Sequence, residues 1–262
     1  METLVIERDA GVVTVIMNRP ERKNAANGLM LEELRRTFVE VERSTEDRAM
    51  VLTGAGGAFC SGADLSASEG PAGGAGQSMH GLLRMRRLGD VALSLHRLTK
   101  PTIAKVDGVA VGAGLGLALG CDLVVASERA RFSTIFSRRG LTLDNGSSWL
   151  LPRLVGMARA KELAFFGDMV PAADALAMGL VNRVLPVGEL DELVSEWARR
   201  LAAGPPLALS MTKTLLHASH AASMEQAVES EARAQAVNYG SVDTAEAIDA
   251  FREKREPRFI GR

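Results

Sequence analysis

Cysteine, aromatic residues and an excess of charge of either sign are what this chain has least of. Its two cysteines, Cys60 and Cys121, have neither CxxC spacing nor neighbouring histidines, so they offer no disulfide framework and no zinc site. Both read as small buried hydrophobes. With 31 basic against 32 acidic residues the net charge is −1, which supplies no field for nucleic acid or an anionic membrane surface. Neither is expected as a partner. Four histidines, His80, His96, His217 and His220, have no acid at motif spacing and read as surface or helix residues. No apolar run reaches the ~20 residues of a membrane helix. The longest apolar-and-glycine stretch, Val109 to Cys121, is bracketed by Asp107 and Asp122. The opening METLVIERDAGVV has neither the basic region nor the apolar region of a signal peptide, and a cytoplasmic protein is expected.

What is present is the patterning of an α/β protein, and 262 residues suffice for one large domain, with or without a helical appendage. TLVIE and VVTVIMN flank Asp9-Ala10-Gly11 and predict a hairpin. Leu31, Leu34, Phe38 and Val41 fall at helical spacing, and AMVLTG then returns as a strand. Residues Ser66 to Ser78 are small and polar, the composition of a surface loop. Leu88, Val91, Leu95 and Leu98 predict a second amphipathic helix; TIAKVDG, DLVVAS and ARFST predict further strands, and beyond about Pro186 the pattern is helical.

The glycine-dense GVAVGAGLGLALGCD, Gly108 to Asp122, is the most informative stretch. It is not a dinucleotide fingerprint, because Leu119 stands at the third small position counted from Gly114, and it is not a phosphate loop, because no lysine lies between Lys105 and Lys161. What remains is a strand ending near Gly108, a turn through Gly112-Ala113-Gly114 and a helix. Its glycines serve either close packing of that helix or a backbone amide site for developing negative charge. GAFCSGADL, Gly57 to Leu65, is a second strand end rich in glycine and alanine. Two amides from separate turns could converge on one oxygen, the geometry of an oxyanion hole.

GAFCSGADL, KPTIAKVDGVAVGAGLGLALGCDLVVASERARFS and GLTLDNGSSWLLPRLVG resemble segments of the crotonase (enoyl-CoA hydratase/isomerase) superfamily, and the likeness runs in register from VVTVIMNRPERKNA to AFREKREPRF. The resemblance implies an α/β spiral of ββα units over residues 1–195 and a helical C-terminal region, 196–262, that builds trimers or hexamers. It implies an acyl-CoA thioester as substrate, with CoA brought by the substrate and no separate cofactor or metal. By position, the oxyanion donors would be the amides of Ala63 and Ala113. CoA would lie against Arg22, Lys23 and Ala25, Asp64 and Leu65 would line the adenine pocket, and Phe251 and Lys254 would reach the CoA of a neighbouring subunit.

The departures from that family matter as much. Its hydratases carry two glutamates that orient and deprotonate a water, and this chain has Gly116 and Phe136 in their places, neither of which transfers a proton. The remaining acid is Asp144 in LTLDNGSSW. It reads as a turn residue or N-cap of the following helix, with Ser147 and Ser148 as further capping candidates and Asn145 as the left-handed residue of a turn. Isomerases of the superfamily place an aspartate there, and the likeness is strongest to those of the phenylacetate pathway, which also lack both glutamates. The resemblance thus implies Asp144 as acid/base in a double-bond shift, inside an apolar wall of Phe136 and Leu141 that raises its basicity. Hydration, hydrolysis or dehalogenation through Asp144, and a non-catalytic acyl-CoA-binding protein, are the alternatives.

Overall fold

The computed structural model describes residues 1–66 and 81–262. The hairpin forms as predicted: β1 (Leu4–Asp9) and β2 (Val12–Met17) pair antiparallel across Ala10 and Gly11, both at positive φ, 47° and 81°. Positive φ at both positions matches the twist of the flanking strands. Next come α1 (Gly28–Arg43), β3 (Ala49–Gly54), α2 (Gly81–His96), β4 (Thr102–Val106), β5 (Val109–Val111) and α3 (Ala113–Leu119). They are followed by β6 (Leu123–Ser127), β7 (Arg131–Ser133), α4 (Ser147–Phe166), β8 (Val170–Pro171), α5 (Ala172–Ala177) and β9 (Arg183–Leu185). Four helices close the chain: α6 (Val187–Ala203), α7 (Pro206–Ser219), α8 (Met224–Tyr239) and α9 (Val242–Glu253).

Two sheets result, one of six strands in the order β1-β2-β3-β4-β6-β9 and one of three in the order β5-β7-β8. From β2 to β9 every pair in the larger sheet is parallel, as helical crossovers require. Its central strands β3, β4 and β6 are buried on both faces, so alternate residues enter different cores. Met50, Leu52, Ala104, Val106, Val124 and Ala126 join Leu34, Phe38, Leu95 and Leu117, whereas Val51, Ile103 and Val125 meet Leu190, Val194 and Ala198 of α6. The hydrophobic spacing in α1 and α2 is therefore core-facing, with Leu34, Phe38, Val41, Val91 and Leu95 all buried.

Three details differ from the sequence reading. The strand before the glycine run ends at Val106, and residues 109–111 form a short strand of the second sheet before α3 begins. β8 and β9, of two and three residues, carry too little periodicity to be read beforehand, whereas β7, also of three residues, lies within the predicted ARFST. The boundary at 195/196 falls inside α6, which lies on the large sheet along its whole length; the break in the chain's path is at Gly204-Pro205, ahead of α7. The loop read at Ser66 to Ser78, and His80, lie outside the described residues except for Ser66.

Candidate active site

Gly112 stands between β5 and α3 at φ 54°, ψ −121°, a backbone that a side chain rarely permits. It turns the chain so that α3 begins at Ala113. A Cβ on Gly114 would lie 2.4 Å from the Cys60 carbonyl oxygen, and one on Gly116 would lie 2.7 Å from that of Asn145. These two glycines allow α3 to press against other backbone, which is what the run is for. Cys60 and Cys121 are fully buried, and burial pushes their thiols up to about 11 and about 12, as inert core residues.

Close packing also creates a site. As the first residue of α3, Ala113 has no acceptor for its N–H within the helix. Among the described residues neither it nor the Ala63 N–H donates to any acceptor. Gly62 brings the two segments together: a Cβ there would lie 2.9 Å from the Val111 carbonyl oxygen and 4.0 Å from the Ala113 nitrogen. Cys60 further bridges to Ala110 in parallel fashion.

Ala63 belongs to a ribbon that also holds the basic segment. Ser61 N–H donates to Lys23 C=O at 3.0 Å, Ala26 N–H to Gly62 C=O at 2.7 Å and Asp64 N–H to Ala26 C=O at 2.9 Å. Arg22, Lys23, Ala25, Ala63, Asp64 and Leu65 are thus gathered in one place, with Arg22, Lys23, Ala63 and Leu65 exposed. Asp64 is different. It is buried, accepts from Arg19 at 2.9 Å and from the Ser66 N–H at 3.1 Å, and is committed to holding the ribbon. Burial would raise its carboxyl, but the bonds from Ser66 and Arg19 outweigh that and hold it below the usual range. Neither Arg19 nor buried Asn24, which donates to the carbonyls of Ala55 and Ala58 at 2.8 and 2.7 Å, was legible as a site-building residue. Phe251, 85% exposed, lies on α9 and lines an open groove of about 480 Å³ with Pro205, Leu207 and Ile248; Lys254 caps that helix. Among the described residues neither is hydrogen-bonded or ion-paired to the ribbon.

Asp144 opens the turn Asp144-Asn145-Gly146-Ser147, closed by a 2.9 Å bond from Ser147 N–H to Asp144 C=O. Asn145 has φ 48° and Gly146 φ 80°, ψ −4°, the mirror-image turn that Asn-Gly favours. The Asn145 side chain donates to Ala113 C=O at 2.9 Å, so the turn is fastened to the first residue of α3. Gly146 is the N-cap of α4, and no side chain caps that end. The capping role weighed for Asp144, Ser147 and Ser148 is therefore not used. Burial alone pushes the Asp144 carboxyl up to about 6. Phe136 is buried beside Gly112, where a Cβ would lie 3.8 Å from its ring; Leu141, the other expected wall residue, is 48% exposed.

The histidines also depart from the sequence reading. His96 and His217 stack with centroids 4.3 Å apart, His96 meets the Trp149 ring edge-on at 5.1 Å, and His220 stands 6.3 Å from Trp149. His217 Nε2 is 3.8 Å from Asp122, which also accepts from Lys213 at 2.8 Å. An acid partner exists after all, contributed by a distant part of the chain. Burial is the main reason that His96 and His217 are both held below the usual histidine range. Among the described residues no cluster of metal-binding side chains occurs, and no helix is long and apolar enough to cross a membrane.

The geometry has close counterparts among known proteins. Residues 7–262 match the sequence profile of the enoyl-CoA hydratase/isomerase family. The 1,2-epoxyphenylacetyl-CoA isomerase of Escherichia coli (strain K12) is 36% identical over 266 residues, covering 100% of both chains. The 4-chlorobenzoyl coenzyme A dehalogenase-1 of an Arthrobacter species is 35% identical over 250 residues, covering 95% of this chain and 90% of the relative. The crystal structure of an enoyl-CoA hydratase from Bacillus anthracis superposes with a TM-score of 0.92 at 30% identity, covering 99% of this chain and 100% of the other. Its α/β architecture is thus that of the crotonase fold, and the chain belongs to the enoyl-CoA hydratase/isomerase family.

Proposed function

We propose that the protein moves a carbon–carbon double bond in an enoyl-CoA thioester, with Asp144 carrying the proton and the amides of Ala63 and Ala113 holding the thioester oxygen. The observation that carries this reading is a single desolvated carboxylate, at about 6, on a turn fastened to the same helix start that offers the Ala113 N–H. Asp144 takes a proton from the α-carbon, the electron pair moves onto the thioester oxygen, and the two amides meet the charge that develops there. Reprotonation by Asp144 at the γ-carbon completes the shift. Each such amide is worth about 10²–10³ in rate, and a base near 6 works in both directions at neutral pH.

On this reading the exposed Arg22 and Lys23 hold the CoA phosphates, and Lys254 and Phe251 reach the CoA of a neighbouring subunit in a trimer or hexamer. No cofactor beyond the substrate's own CoA takes part. The name of the Escherichia coli relative makes ring-bearing CoA thioesters the first candidates for a screen.

The experiment is conversion of a 3-enoyl-CoA, followed by the ultraviolet absorbance that appears as the double bond conjugates with the thioester. Asp144→Asn should lower that rate by at least ~10²-fold with acyl-CoA binding retained. Equal rates in parent and variant would remove Asp144 from the mechanism. Incorporation of ¹⁸O from solvent into the product would instead favour Asp144 as nucleophile or water activator, the reading that the dehalogenase relative suggests.

A further inference from the structure

Asp144 has no side-chain partner to hold it. Among the described residues its carboxylate accepts no hydrogen bond, and the Ser147 hydroxyl on the same turn is equally unpartnered. A base without such bonds points where its backbone points, so the place of Asp144 is set by whatever fixes the turn Asp144-Asn145-Gly146-Ser147.

One side chain does so. Asn145 Nδ2 donates to the Ala113 carbonyl oxygen at 2.9 Å, across 32 residues of chain, and among the described residues this is the only side-chain hydrogen bond between the turn and α3. Helix formation does not call for it. The carbonyl of a helix's first residue is taken by the N–H four residues on, and the amide adds a second donor to its remaining lone pair. Nor does the turn call for it, since the residue at φ 48° could as well be glycine. Room for the bond comes from Gly116, where a Cβ would lie 3.2 Å from Asn145 Nδ2 and 3.0 Å from Asn145 Cβ. The acceptor, moreover, belongs to the residue whose own N–H donates to no described group.

We infer that Asn145 is a positioning residue, whose side-chain amide fixes the Asp144 turn to the first residue of α3 and so joins the base and the Ala113 amide in one unit. The two groups must act together, because Asp144 takes the α-proton as the electron pair moves onto the oxygen that the amide holds. A misplacement of about 1 Å between reacting groups costs on the order of 10²-fold in rate. Without Asn145 the turn keeps its 2.9 Å bond from Ser147 N–H to Asp144 C=O. That bond lies inside the turn and ties it to nothing else.

This inference rests on the proposed role of Asp144, so its test reads the proton step itself. The probe is phenylacetyl-CoA in ²H₂O, which has acidic α-protons and no double bond to migrate beside the thioester. Asp144 takes an α-proton, exchanges it with solvent and returns a deuteron to the same carbon, and loss of the α-¹H signal by NMR gives the rate. Two variants are needed, each covering a weakness of the other. Asn145→Gly keeps a residue suited to positive φ, adds no charge and removes the donor. Asn145→Asp keeps the shape and sets a carboxylate oxygen, which at pH 8 cannot donate, against the Ala113 carbonyl. Well below the Tm of each protein, exchange should fall by about 10-fold or more in Asn145→Gly and further in Asn145→Asp, while the Kd for phenylacetyl-CoA changes by less than about twofold.

A role confined to the turn has the opposite consequence: glycine suits that backbone at least as well as asparagine, so Asn145→Gly would exchange as fast as the parent. A parental exchange rate in either variant would overturn the inference. Exchange by the parent without migration of a 3-enoyl double bond would count against the isomerase reading alone. No exchange by the parent would remove Asp144 as the base, and the role of Asn145 with it.

Discussion

Asn145 donates from its side chain to the carbonyl of Ala113 at 2.9 Å, and its own carbonyl oxygen lies 2.7 Å from where a Cβ on Gly116 would stand. The position at which the family resemblance puts a hydratase glutamate is thus closed by main chain as well as lacking an acid. Gly116→Ala, which would normally favour a helix by about 1 kcal/mol, should here cost about 1–3 kcal/mol in denaturant unfolding. Asn145→Gly should not rescue it, because the obstacle is a backbone oxygen. A Gly116→Ala protein as stable as the parent would sink the argument, and Gly116→Glu is expected to bring no water addition.

Asp144→Asn should stabilise the protein at neutral pH, which is opposite in sign to the loss of a helix cap. The folded carboxyl is raised from its ordinary 3.8 to about 6, so its favourable contribution is complete below 3.8 and is lost as pH rises through 6. Solvent screening of a group that is partly exposed reduces the effect to about 1–2 kcal/mol. Thermal unfolding should therefore show a higher Tm for the variant at pH 7.5 and little difference at pH 4.

The histidine stack predicts the reverse trend. His96 and His217 are held below the usual range, so the unfolded chain binds more protons, and stability is whole above about 6.5 and falls as pH drops below it. Replacing His217 with Gln should lower Tm at pH 8, where the stack is intact, and reduce the loss of Tm between pH 7 and 5. Parallel Tm curves for parent and variant would show that the stack does not titrate with folding.

Lys23 and Lys254 share a conformation, each ending a helical turn at positive φ, 50° and 55°, with its side chain exposed. Changing either to Ala should leave the fold intact and weaken CoA binding by roughly fivefold or more at low salt, with the difference shrinking at high salt. Unchanged affinity in both variants would remove the phosphate role from this pair.

Leu216, Met224, Tyr239 and Phe251 are 63%, 76%, 75% and 85% exposed on α7, α8 and α9, and α8 buries none of its residues in the single chain. Light scattering at micromolar concentration should give three or six times the chain's 27.9 kDa. A monomeric mass would defeat the proposed assembly.

The sequence by itself determined the elements with strong periodicity and the turns with strong chemistry. Asp9-Ala10-Gly11 and Asp144-Asn145-Gly146-Ser147 could be read because a hydrogen-bonded turn is decided by neighbours in the chain, and α1 and α2 because their apolar faces repeat every turn. Family membership was legible for the same reason: its motifs are short and lie in order along the chain. Only the tertiary structure decided that Gly114 and Gly116 serve close backbone approach, that Asp122 meets His217, and that Asp64 belongs to Arg19. It also decided that Asp144 and Ser147 bury unpaired oxygens on one turn. Those relations depend on which groups are excluded from water and which partners long-range packing sets opposite them, and neither quantity is local to any stretch of sequence.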